Sequence, residues 1–266
     1  MKLISSRDNP LFKELKHLAT SSQARRKAGR TLLDGVHLCE TFLHHAGMPA
    51  YCVVSEESAS HPEVADIVAR CQAGRAQCIM LPNSLYATLS QVENGIGLLF
   101  VVATPHTVLP DRLSGSAVLL DNLQDPGNLG SILRSAAAAG IKRVFCSIGT
   151  CFAWSPKVLR AGMGAHFILE IYENCDLAQL LAAADVPVFA TSSHAQQSVF
   201  DADLTRPCAW LFGHEGQGVS DELMNLATHR VMIPHLGAVE SLNVAASAAV
   251  CIFEQLRQSS RSFNLR

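Results

Sequence analysis

The sequence predicts an α/β protein of two domains, each a sheet interleaved with helices. Two observations carry this reading. Short apolar runs alternate with helix-like segments along the whole 266-residue chain, and an aperiodic stretch at 104–116 interrupts the alternation once. In the second half the strand segments are near-continuous apolar runs, which implies a mainly parallel sheet covered on both faces.

In chain order, Leu11, Phe12, Leu15 and Leu18 recur at helical spacing, and the Ser21-Ser22 pair is placed to cap a short second helix. Next, "TLLDG" reads as a strand, "VHLCETFLHHAG" as a helix with a glycine stop, and "AYCVVSE" as a strand. The segment "HPEVADIVARCQAG" opens on Pro62 and closes on Gly74, which marks a helix at both ends. Then "QCIML", "NSLYATLSQ" and "GIGLLFVVA" supply strand, short helix and strand. The two prolines and one glycine of "TPHTVLPDRLSG" mark a linker, so the expected domains are 1–103 and 117–266, joined by 104–116. In the second domain "SAVLLD", "KRVFCS", "VPVFATS", "CAWLFG" and "RVMIP" read as strands. The helices are "LGSILRSAAAAG", "SPKVLRAG", "DLAQLLAAAD", "SDELMNLA" and "SLNVAASAAVCIFEQLRQ".

Composition narrows the function classes. With 48% hydrophobic and 17% charged residues, the chain can bury a sizeable core. Its longest apolar runs fall short of the roughly 20 residues of a membrane span. The opening "MKLISSRDNP" has no apolar signal segment, so a cytoplasmic location is expected. Nine cysteines without a C-x-x-C pair, and histidines without H-E-x-x-H, predict reduced thiols and no metal. Net charge is −2, yet the first 30 residues carry eight Lys/Arg, among them Arg25, Arg26, Lys27 and Arg30, against Asp8 and Glu14. A basic N-terminal face on an acidic body suits either a polyanion-binding module or a solvated helix surface.

In parallel sheets ligands bind beyond the carboxyl ends of the strands, so three loops carry the functional weight. In "DNLQDPGNLGSILR", residues 124–127 form a turn, Asn128 is a candidate helix N-cap, and Arg134 leans from an Ala-rich helix back toward the loop, unless it pairs with Asp125 or reaches solvent. In "LFGHEGQGVS", three glycines surround Glu215, more than a simple turn uses. In "IPHLGAVESLNVAASAAV", Ser241 and Asn243 fall in the first turn of the last helix, whose alanines allow another helix close. None of these is a P-loop or a dinucleotide G-x-G-x-x-G, and the missing motif and acidic ribose ligand argue against a Rossmann dehydrogenase.

Together and in this order, "LDNLQDPGNLGSILRSAAAAG", "FGHEGQG" and "IPHLGAVESLNVAASAAV" resemble the three motifs of the SpoU/TrmH family of RNA 2′-O-methyltransferases, in the SPOUT superfamily. The N-terminal segments "ISSRDNPLFKELKHL" and "RRKAGRTLLDGVHLCE" resemble the family's small α/β RNA-binding domain, although "SQVENGIGLLFVV" departs from its usual Pro-Gln-Gly ending and Gly162 replaces a more usual Ser or Ala. The resemblance implies a C-terminal domain with a trefoil knot, an exception to the rule against threaded chains. It further implies S-adenosylmethionine held by Gly213, Ile233 and Leu242, with Thr191 beside them, and a catalytic set of Arg134, Asn128, Glu215, Ser241 and Asn243. The implied partners are RNA bound through Arg25, Arg26, Lys27 and Arg30, with ribosomal RNA ahead of transfer RNA and no DNA, and a second copy of the chain in a homodimer. An inactive RNA-binding ribosome-assembly factor is the alternative from another class. Because a guanidinium keeps its proton in proteins, Arg134 is expected to stabilise alkoxide character and hold phosphate, while the hydroxyl proton leaves to phosphate or water.

Overall fold

A computed structural model describes residues 1–92, 95–238 and 241–260; Glu93 and Asn94 of the first-domain ending and Val239 and Glu240 of the third motif lie outside the described residues. The chain folds as two compact units, Met1–His106 with Trp154–Phe167, and Thr107–Ala153 with Ile168–Arg266.

The first unit contains β1 (Lys2–Leu3), α1 (Pro10–Thr20), α2 (Ser22–Ala28), β2 (Arg30–Asp34), α3 (Val36–His45), β3 (Tyr51–Ser55), α4 (Pro62–Ala73), β4 (Gln77–Leu81), α5 (Asn83–Tyr86) and β5 (Leu98–Ala103). The strands form a mixed sheet in the order β1-β4-β3-β5-β2, with β5 antiparallel to both its neighbours. The Asn9 side chain accepts the N–H groups of Leu11 and Phe12 and so starts α1, whose Phe12, Leu15 and Leu18 are buried. Ser21 caps α2 through the N–H of Ala24. Arg25 turns inward. It is 6% exposed and donates to the carbonyls of Leu18 (2.6 Å) and Ala19 (3.3 Å) at the end of α1. Carbonyls left over at a helix end attract a cation, so Arg25 ties α2 to α1 and is corrected from a phosphate contact to a structural residue. Arg26 and Lys27 are exposed on α2, and Arg30 pairs with Glu14 at 3.1 Å.

The second unit contains β6 (Ala117–Leu120), α6 (Pro126–Ala138), β7 (Arg143–Ser147) and, past the 154–167 segment that carries α7 (Pro156–Gly162), β8 (Glu170–Cys175) and α8 (Leu177–Ala182). It continues with β9 (Val188–Thr191), β10 (Gln197–Ser198), β11 (Ala209–Phe212), α9 (Asp221–Leu226), β12 (His229–Met232) and α10 (Val244–Ser260). Its seven strands pair in parallel in the order β10-β12-β9-β11-β6-β7-β8. All four residues of β6 and of β11 are buried, as strands covered on both faces require. Helices α6 and α10 pack together, and each carries a fully buried alanine, Ala136 and Ala248.

Further differences from the sequence reading bear on the fold. Strand β8 was not expected, because Glu170, Glu173 and Asn174 interrupt its apolar residues, as an edge strand permits. The segment 154–167 packs with the first unit: the buried Thr31 hydroxyl donates to the carbonyl of Trp154 at 2.6 Å, and the Phe42 and Phe167 rings meet edge to face. Helix α6 begins at Pro126, two residues earlier than Asn128. Among the described residues no helix is long and apolar enough to cross a membrane.

Candidate active site

The strand order explains why loops far apart in sequence form one site. Strands β12, β9, β11 and β6 are consecutive in the sheet, so the loops leaving β6, β11 and β12 emerge along one edge.

In the loop after β6, Asp125 caps α6, its Oδ1 accepting the N–H of Asn128 at 2.8 Å, with Pro126 in the first turn. Asn128 is therefore not the cap, and its side chain is free to bond elsewhere. Glu215 reaches it from the β11 loop. Glu215 Oε1 accepts from the Asp125 N–H (2.8 Å) and from Asn128 Nδ2 (3.2 Å), and Oε2 accepts from the Gln124 N–H (3.1 Å). Burial acts to raise the pKa of this carboxyl. The hydrogen bonds from Asp125, its own N–H, Asn128 and Gln124 together outweigh burial and hold it below the usual glutamate value.

The chain of contacts continues into the third loop. Asn128 Oδ1 accepts from Asn243 Nδ2 at 2.9 Å, and Asn243 Oδ1 accepts the N–H groups of Ala245 and Ala246. Asn243 thus stands just ahead of α10 as its cap instead of within its first turn, and exposed Ser241 precedes it. Glu215, Asn128 and Asn243 link the three loops side chain to side chain.

The β11 loop is a closed turn. His214 and Gly218 exchange both backbone hydrogen bonds (2.9 and 2.8 Å), and His214 Nδ1 accepts the N–H groups of Gly216 and Gln217. Gly218 has φ +73°, and a Cβ on Gly213 would overlap the Gly218 carbonyl and Val219 N, so both positions require glycine. Asp121, at the end of β6, accepts the Ser220 N–H at 2.9 Å and fixes the far side of this loop. Gly213→Ala is expected to open the turn at a cost of about 2 kcal/mol or more, since backbone must move, and to abolish ligand binding in the adjoining cleft. Thermal unfolding and calorimetry with S-adenosylmethionine check this; a variant binding with unchanged affinity contradicts it.

That cleft has a volume of about 740 Å³. Thr191, Gly213, Ile233 and Leu242 all line it, together with Glu215 and Ser241. Its size is that of a small-molecule site, and Ile233, Leu242 and Val244 give it apolar surface for an adenine ring among loop backbone and hydroxyl groups suited to ribose and carboxylate. These residues fit S-adenosylmethionine. Asn128, Asn243 and Arg134 are not among the lining residues. Arg134 is exposed on α6, and among the described residues no hydrogen bond or ion pair engages it, with Asp125 or any other group. A cationic group that no described residue engages is available to a ligand.

Sequence reasoning missed Asp121, which fixes the β11 loop, and His214, which shapes that loop and lines the cleft. The signals were present: a carboxylate directly after a buried strand, and a hydrogen-bond acceptor between two glycines.

Residues 115–253 match the SpoU rRNA methylase family. A tRNA/rRNA methyltransferase of Synechocystis sp., itself uncharacterized, is 34% identical over 96% of this chain and 93% of its own length. A 23S rRNA guanosine 2′-O-methyltransferase of Bacillus subtilis is 30% identical over 95% of this chain and 98% of its own. The crystal structure of the SpoU methyltransferase AviRb from Streptomyces viridochromogenes, in complex with S-adenosylmethionine, is similar with a TM-score of 0.83 and 26% identity, covering 94% of this chain and 98% of that one.

Proposed function

The chain belongs to the SpoU rRNA methylase family, and from that premise we propose that it methylates a ribose 2′-hydroxyl of ribosomal RNA with S-adenosylmethionine as methyl donor. The observation that carries this reading is the Glu215–Asn128–Asn243 chain, which ties the acceptor loop to both loops that line the cleft.

When bound, S-adenosylmethionine supplies an electrophilic sulfonium methyl group. Gly213, Ile233, Leu242 and Thr191 hold the donor, with the tight turn at Gly213 setting the floor of its site. On the other side of Glu215, Asn128 and Arg134 receive the nucleotide, Arg134 placing its charge against the phosphate and the developing alkoxide. The bond from the 2′-oxygen to carbon forms as the bond from sulfur to carbon breaks, and the hydroxyl proton leaves to phosphate or water. Glu215 and Asn243 keep Asn128 in place, and Ser241 lines the donor cleft.

The N-terminal unit is the RNA-binding part of this proposal, through Arg26 and Lys27 on α2 and through Arg30. Reversing both charges, Arg26→Glu with Lys27→Glu, is expected to weaken RNA binding and make its logarithmic salt slope shallower by roughly one to two, while leaving S-adenosylmethionine affinity unchanged. Filter binding at several salt concentrations reads this, and an unaltered slope contradicts it. The proposal extends to a trefoil knot in the C-terminal unit and to a cytoplasmic homodimer through that unit. The 44% exposed Phe253 on α10 supports the dimer, which a monomer mass in sedimentation would remove.

Mapping 2′-O-methylation in total RNA with and without the gene tests the function. Loss of a ribosomal RNA site is expected. Loss of a transfer RNA site instead would move the substrate, and an unchanged map would defeat the proposal.

A further inference from the structure

The end of β7 and the loop after it, Ser147 to Cys151, have no role in the reaction as described, yet they are bonded to the end of β6 and the acceptor loop at four points. Ser147 Oγ accepts the Asn122 N–H at 2.8 Å, and the Thr150 hydroxyl donates to the Leu120 carbonyl at 3.0 Å. The Cys151 N–H donates to the Leu123 carbonyl at 2.8 Å, and Gln124 Nε2 donates to the Gly149 carbonyl. We infer that Ser147 and Thr150 are positioning residues for methyl transfer: they clamp residues 120–124 and thereby set where Asn128 and Arg134 stand. This rests on the proposed function.

The hydroxyl chemistry gives the clamp a direction. Thr150 is 7% exposed and spends its single proton on Leu120, so in its 3.2 Å contact with Ser147 it is the acceptor and Ser147 the donor. The remaining lone pairs of Ser147 then take the Asn122 N–H. One relay runs from the end of β6 through two hydroxyls to the first residue beyond Asp121. Asn122 has φ +55°, a left-handed conformation that costs an L-residue energy and persists only where its surroundings hold it. Its N–H is held by Ser147, and its Oδ1 accepts Gln124 Nε2 at 2.8 Å. A Cβ on Gly149 would overlap the Asn122 side chain, so the two loops lie in direct contact.

The acceptor loop is therefore gripped from both sides. Glu215 holds Gln124, Asp125 and Asn128 from the cleft side, and Ser147 and Thr150 hold Leu120 and Asn122 from the β7 side. Helix α6 starts at Pro126, immediately beyond, so a shift at Asn122 is transmitted to Asn128 and Arg134. Cutting the β7 grip leaves the Glu215 bonds intact. It should disturb the acceptor and spare the donor.

The test is Thr150→Val, which keeps the shape and removes the hydroxyl, beside Thr150→Ser, which keeps the hydroxyl; Ser147→Ala serves if the valine variant does not fold. Single-turnover methyl transfer at saturating RNA and S-adenosylmethionine is expected to fall roughly three- to tenfold in Thr150→Val and to recover in Thr150→Ser. Dissociation constants for S-adenosylmethionine should agree within about twofold. Hydrogen exchange should show the Asn122 N–H less protected in Thr150→Val, a reading independent of activity. A wild-type transfer rate in Thr150→Val overturns the inference, as does a loss of S-adenosylmethionine affinity in step with the rate. If the wild-type protein transfers no methyl to RNA, the proposed function fails, and unchanged exchange would then remove the clamp as well.

Discussion

Arg134→Ala is expected to lower single-turnover methyl transfer by roughly a hundred- to a thousandfold while RNA and S-adenosylmethionine still bind. The site contains no other unpaired cation placed on the acceptor helix: Arg134 is exposed, and among the described residues no hydrogen bond or ion pair engages it. Its charge is realised only when a phosphate or alkoxide arrives, which is the condition for acting on the transition state more than on the ground state. Because the side chain bonds to no other described residue, the variant should unfold at the wild-type temperature. Arg134→Lys is expected to recover only part of the rate, since an ammonium lacks the planar fork that grips phosphate. Near-normal transfer by Arg134→Ala would remove the arginine from the mechanism.

Glu215→Gln is expected to cost roughly a hundredfold in transfer, with a weaker grip on S-adenosylmethionine as well. The carboxylate accepts three hydrogen bonds from the acceptor loop: the N–H groups of Gln124 and Asp125 and the Asn128 amide. A glutamine presents an NH2 group to at least one of these donors, which sets donor against donor and lets the loop move away from the cleft. The pH dependence follows in sign. The folded-state pKa of Glu215 lies below its ordinary value of 4.5, so its contribution is fully present above that value and is lost only as pH falls through the lower folded one. S-adenosylmethionine affinity is expected to show no Glu215 titration between about pH 5 and 8. A step in that range that disappears in Glu215→Gln would contradict the assignment.

Much of this site was readable from residue types, because the backbone makes demands that few residues meet. Gly213 and Gly218 are there for a close backbone approach and a positive φ, and a run of glycines at a strand end announces both. The buried runs of β6 and β11 announce central parallel strands, which puts their trailing loops at a ligand-binding edge. What stayed hidden depends on partners distant in sequence. Pro126 marks Asp125 locally as the cap in place of Asn128, but that Asn128 is then taken up by Glu215 depends on a loop distant in sequence. The inward turn of Arg25 depends on how α2 folds back on α1, while its sequence neighbours Arg26 and Lys27 stay exposed. Ser147, read as the end of a strand, and Thr150 beyond it look like ordinary hydroxyls until the pairing of β6 with β7 brings Leu120 and Asn122 within reach. Strand β8, with its glutamates and Asn174 at positive φ, carries no clean apolar pattern to read.

The central claim is methyl transfer to a ribose 2′-oxygen. Its most direct measurement is to incubate the protein with ribosomal RNA from cells lacking the gene and S-adenosylmethionine labelled in the methyl group, then digest the RNA to nucleosides. The label is expected in a single 2′-O-methylated nucleoside with wild-type protein and at background with Arg134→Ala. Label on a base, or no label in any nucleoside, would contradict the account.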